Sequence, residues 1–135
     1  MSQENLDALR RGFEHTTRTG KLLRETFRPD LVWDTTTFES AGGLNLETCI
    51  GVDDANRWLA QWTDVFENWS IDVEDVFDAG DQVVTLARQH AKARHGGPKV
   101  EMRLAQVWTF RNGLIGRMEM YSDRAQALEA AGLRE

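Results

Sequence analysis

The chain has 135 residues, 41% of them hydrophobic and 28% charged, a size and balance that suit one globular domain over residues 1–135 and exclude a disordered or fibrous chain. Sixteen basic against 22 acidic side chains leave a net charge of −6, which argues against nucleic acid and membrane surfaces as partners. A single cysteine, Cys49, closes no internal disulfide, no apolar run approaches the roughly 20 residues of a membrane span, and the opening MSQENLDALRR lacks a signal peptide's apolar core, so a cytoplasmic protein is expected.

Leu6, Leu9, Phe13 and Thr16 recur at helical spacing and predict a first helix that stops at Gly20. KLLRETF, residues 21–27, reads as a short second helix ended by Pro29. Residues 31–38, LVWDTTTF, carry the β-branched and aromatic side chains of a strand, and 39–51 read as a loop with a short edge strand. Asp53 and Asp54 open the clearest helix, with Ala55, Trp58, Leu59, Trp62, Val65 and Phe66 along one stripe; its tryptophans read as core. From Trp69 the period changes to two, with turn signals at Ala79-Gly80-Asp81, His95-Gly96-Gly97-Pro98 and Asn112-Gly113, which predicts four antiparallel strands. Asp123 caps a last helix over 124–131, with Gly132 as its stop. The order α-α-β-α-β-β-β-β-α predicts an α+β domain, a curved antiparallel sheet whose concave face the N-terminal helices cover.

RRGFEHTTRTG, RPDLVWD, GVDDANRWLAQW, DVFDAGDQVV, QVWTFRNGLIGRMEMYSDR and ALEAAGL, in this order and spacing, resemble the SnoaL-like polyketide cyclase family of the nuclear-transport-factor-two-like superfamily over nearly the whole chain. The resemblance implies a cone-like sheet and a homodimer formed through the sheet's outer face. The superfamily holds enzymes and non-enzymes alike, so fold analogy leaves function open.

Strand alternation predicts which residues line the cone. Val100, Met102, Leu104, Gln106, Trp108 and Phe110 share a face. Closing His95 against Lys99 sets Arg88 opposite Gln106 and His90 opposite Leu104. A three-residue loop at RNGL pairs Phe110 with Leu114 and brings Met118 and Met120 to the same face; a two-residue loop, which Asn-Gly also favours, would bring Arg117 and Glu119 there instead. On the first choice the inner wall holds Val84, Leu86, Arg88, His90, Leu104, Gln106, Trp108, Met118 and Met120. Polar groups interrupting an apolar wall suit a cavity for a small hydrophobic ligand. The outer face then carries Arg103, Ala105, Val107, Thr109, Ile115, Arg117, Glu119 and Tyr121, with an apolar centre for a second copy to cover.

Asp34 among apolar neighbours is a candidate base; it also suits a purely structural role, bonding loop amides or pairing with Arg88. His90 is a candidate acid or base, or a hydrogen-bonded wall residue, and Arg88 and Gln106 would hold ligand oxygens. Phe13, Trp33, Trp108, Met118 and Met120 would shape the pocket. By resemblance, Asp34 falls at or beside the proton-abstracting aspartate of ketosteroid isomerases, but Gln106 and Phe13 replace the acid and tyrosine of their oxyanion site. Limonene epoxide hydrolases match Arg88, while His90 and Met120 replace their two catalytic aspartates. No metal-ligand spacing or cofactor-binding fingerprint occurs, so neither metal nor cofactor is expected. Three readings follow: a cofactor-independent acid–base enzyme (isomerase, cyclase, dehydratase or hydrolase) acting on a hydrophobic carbonyl-bearing or hydroxylated compound, a non-catalytic ligand-binding module, or a dimerisation scaffold.

Overall fold

The computed structural model describes residues 3–38 and 46–133. Helix α1 (Gln3–Thr19) turns its apolar stripe inward, burying Ala8, Leu9 and Thr16, and ends where the Gly20 amide bonds the Thr16 carbonyl at 2.8 Å. The expected second helix contracts to a single 3-10 turn, Arg24–Thr26, because the chain is already extended at Phe27. Strand β1 (Phe27–Asp34) therefore starts earlier than predicted and contains Pro29. The proline is tolerated because the pairing of β1 is interrupted between Phe27 and Val32, where no ladder needs its missing N–H. Strand β2 (Thr48–Ile50) is the predicted edge element; residues 39–45 of the expected loop lie outside the described residues. Helix α2 (Val52–Asp64) buries Val52, Ala55, Trp58, Leu59 and Trp62. Four strands follow as a meander: β3 (Phe66–Ala79), β4 (Gln82–Ala93), β5 (Lys99–Arg111) and β6 (Leu114–Tyr121). The last helix is α3 (Arg124–Ala130), capped by Asp123, whose side chain accepts from the Gln126 amide.

The sheet is curved and unclosed, ordered β2-β1-β6-β5-β4-β3. It is mixed rather than wholly antiparallel, since β1 runs parallel to β6. Bulges at Val73/Asp75 and Thr109/Phe110 bend the long strands, as an unpaired extra residue does.

Two hairpins differ from expectation, with opposite consequences. The β4–β5 link is six residues, not three: Lys92, not His95, lies opposite Lys99, and Arg88 lies opposite Arg103. The chain folds back closely there, with Pro98 accepting from the Ala93 amide, and only glycine fits at 97, where a Cβ would stand 2.7 Å from that of Ala93. An offset of three is odd, so every β4 side chain changes face. Val83, Thr85, Ala87 and Gln89 point inward; Arg88 and His90 point outward. At β5–β6, Arg111 pairs with Leu114 across a two-residue turn in which Asn112 and Gly113 have φ of 52° and 81°. The bulge that follows reverses the parity again, setting Met118 opposite Trp108 and Met120 opposite Gln106. Both methionines reach the inner side by a different route, and Ile115, expected outside, is buried inside.

The main core lies between the inner sheet face and α1 and α2. A second, smaller core lies on the outer face, where Ala127 and Leu128 of α3 cover Val84, Ala105 and Val107. The apolar centre expected to meet a second copy is thus covered by the chain's own last helix. No described helix is long and apolar enough to cross a membrane.

Candidate functional site

Inside the cone, α1, α2 and the inner sheet face enclose a cavity of about 50 Å³. Its walls combine aromatic rings with aliphatic side chains: Trp58 stacks on Trp62 at 5.0 Å between ring centres, and Trp33 meets Trp108 edge-on at 6.0 Å. Phe13 stands edge-on to Trp108 at 5.7 Å. Gly12, inside α1, also faces this space, and a Cβ there would meet nothing within 4 Å. Glycine inside a helix costs about 1 kcal/mol against alanine, so helix stability alone does not account for it.

Buried indole N–H groups need acceptors, and the sheet supplies them from β4. Gln89 Oε1 accepts from Trp62 Nε1 at 2.6 Å and from Trp69 Nε1. Thr85 Oγ1 accepts from Trp108 Nε1 at 2.8 Å and donates to Gln106 Oε1 at 3.1 Å, which turns the amide end of Gln106 away from Thr85. Two donors are left over. Trp33 Nε1 is buried with no hydrogen-bond partner, and Gln106 Nε2 has none among the described residues. Both belong to residues of the cavity wall.

Of the residues singled out from sequence, Phe13, Trp33, Gln106, Trp108 and Met120 line this cavity. Met118 is fully buried behind the wall. Asp34, Arg88 and His90 lie elsewhere. Trp33 takes the inward position on β1, so Asp34 faces the other way, accepting from the Thr36 amide at 2.9 Å, from Thr36 Oγ1 at 2.6 Å and from Arg117 at 3.2 Å. This is the loop-amide role weighed for it, with Arg117 rather than Arg88 as its cation. Arg88 pairs with Glu74 at 3.1 Å on the outer face, and His90 stands 3.4 Å from Asp72 and 3.3 Å from Glu101. Among the described residues, no Asp, Glu, His, Lys or Arg lines the cavity.

Sequence reading missed Thr85 and Gln89, which the β4 parity error placed outside. The signal available for them was the tryptophan count: five indoles in one small domain demand acceptors, and polar residues alternating with Val83 and Ala87 on β4 are well placed to supply them.

Glu47, Cys49 and Asp54 bring potential metal-ligand atoms within 4.8 Å of one another. The Arg57 guanidinium already bridges the two carboxylates there, and it holds the Asp54 carboxyl below its ordinary range. Burial pushes the Cys49 thiol up to about 12, far from a thiolate at neutral pH. On the outer face Tyr121 donates to Glu119 at 2.8 Å; burial, then this carboxylate, push its phenol up to about 12.

A family model described as a SnoaL-like domain matches residues 13–118. No curated protein matches the chain. Among solved structures, an NTF2-like protein of unknown function from Burkholderia pseudomallei K96243 is similar at TM-score 0.75 and 22% identity, covering 96% of this chain and 97% of that one. TerC co-crystallised with polyporic acid is similar at TM-score 0.74 and 20% identity, covering 96% and 99%. A Mycobacterium tuberculosis protein in complex with estradiol-17beta-hemisuccinate is similar at TM-score 0.66 and 16% identity, covering 90% and 95%. At these identities the likeness is one of fold.

Proposed function

We propose a function from the premise that this chain belongs to the SnoaL-like domain family: its cone binds a small apolar molecule carrying an acceptor oxygen, and does so without acid–base chemistry. One observation carries this reading: two residues of the cavity wall carry N–H donors without a partner among the described residues, Trp33 Nε1, which is buried, and Gln106 Nε2, and no described ionisable side chain lines the cavity. An N–H donor buried without an acceptor is costly, and a ligand carbonyl supplies the acceptor. Proton transfer would need a group able to take or give a proton within hydrogen-bond reach of the ligand. Asp34 and His90, the sequence candidates for that role, are engaged on other faces. Two fold relatives with small organic molecules in their structures support the binding reading by analogy.

The test is a tryptophan-fluorescence titration with acetophenone and with ethylbenzene, which lacks the oxygen. Acetophenone is expected to bind about fivefold more tightly, the worth of one hydrogen bond, and Gln106→Leu to reduce the difference, Trp33 Nε1 remaining as the second donor. Gly12→Leu, which extends a side chain into open space, is expected to keep the fold and lower acetophenone affinity about tenfold or more. Equal affinity for the two compounds in the unmodified protein overturns the reading.

A homodimer is part of the same proposal. With the apolar centre under α3, the second copy would meet the strip of β5 and β6 left beside it, around Arg103, Thr109 and Arg117, and sedimentation velocity reads whether it does.

A further inference from the structure

We propose that the groove between α1 and β3 is the outer half of the ligand site, parted from the inner cavity by the ring of Phe13. Its occupant is then an elongated molecule, with an oxygen-bearing ring inside and an uncharged aliphatic tail along β3. The proposal rests on the inner cavity being a ligand site, as argued above.

Size is the first support. The inner cavity, at about 50 Å³, is roughly a third of the ~150 Å³ known to hold a benzene ring, so a ring enters only if a wall side chain yields. The groove beside it measures about 620 Å³, and Leu9, Phe13 and Ile71 line both spaces. Of these three, Phe13 is the one left partly exposed, with its ring edge-on to Trp108, so it is the side chain free to swing.

The floor of the groove is the second support. Val73 lies opposite Ala87 and Val76 opposite Thr85, so both valines belong to the inner face of the sheet, yet they stay 37% and 39% exposed where no described helix covers them. An apolar strip on the concave side, running out from the cavity wall, fits a chain of methylenes. Among the described residues the charges of the rim nearly balance, Arg10 and Arg18 standing with Asp7, Glu14 and Asp72, and Arg10 held by Asp7 at 2.7 Å, so neither an anionic nor a cationic tail gains from it. An uncharged tail follows.

Alkyl phenyl ketones test this. From acetophenone to octanophenone the ring and carbonyl stay constant while six methylenes are added, and affinity is expected to rise about 30-fold or more. Val76→Lys, a half-exposed position outside the inner cavity, is expected to reduce that gain to threefold or less and leave acetophenone affinity unchanged. Phe13→Ala is expected to strengthen binding of both ketones. If acetophenone prefers its site over ethylbenzene but chain length brings no gain, or the gain survives Val76→Lys, the groove is not part of the site. If acetophenone shows no preference, the inner cavity reading fails first and takes this one with it.

Discussion

Gln89 shows how one side chain organises the inner wall. Its carbonyl oxygen receives both Trp62 and Trp69, and its amide lies 3.6 Å from the sulfur of Met102. Replacing it with leucine keeps the volume but leaves one buried and one part-buried indole donor unpaired, a buried one costing roughly 1–3 kcal/mol. Gln89→Leu is therefore expected to lower unfolding stability by about 2–4 kcal/mol in urea titration. Arg88→Ala and His90→Ala, its neighbours on the solvent side, are expected to cost under about 1 kcal/mol, because polar contacts that solvent reaches contribute little. The reverse order of costs would show the strand facing the other way. Gln106 was recognisable as a wall residue because β5 alternates clearly, and Trp33 because a bulky aromatic side chain suits the lining of a cone. Asp34 was not resolvable by alternation: one position of slip exchanges it with Trp33, and the bulkier, apolar side chain takes the inside.

At the scale of elements, helix α2, the meander and the Asp123 cap were legible because each depends on local spacing and local chemistry. The length of the β4–β5 turn was not. His-Gly-Gly-Pro marks a reversal without saying where the ladder resumes, and pairing resumes only at Lys92 and Lys99. The second hairpin shows the converse, since a short Asn-Gly turn and a bulge combine to put Met118 and Met120 inside. Helix α3 was foreseen as a helix but not as the cover of the outer face, a contact made with strands far back in the chain. Its cap offers a direct check. Asp123→Ala removes the acceptor of the Gln126 amide and is expected to cost about 1 kcal/mol, with hydrogen exchange quickening in α3 before the strands. Unchanged exchange in α3 would mean that packing alone holds it.

Over the whole molecule, polarity is divided by face. The inside is aromatic with amide and hydroxyl donors, and the charged pairs stand outside, among them Arg88 and Arg103 on Glu74 and Arg117 on Asp34. A dimer built on this outer strip would lean on charge, so it is expected to weaken between about 0.1 and 0.5 M salt, as screening shortens the reach of exposed ion pairs. Sedimentation velocity showing a monomer at every concentration, or a dimer indifferent to salt, would overturn it. Element order, the family and the tryptophan-rich interior were written in the sequence alone, because helix and strand periods are local properties and apolar side chains have one place to go. Which polar residues entered the cone was decided only in the tertiary structure. In a sheet, facing depends on the parity of register, and register is set by turns and bulges whose effect is felt many residues away.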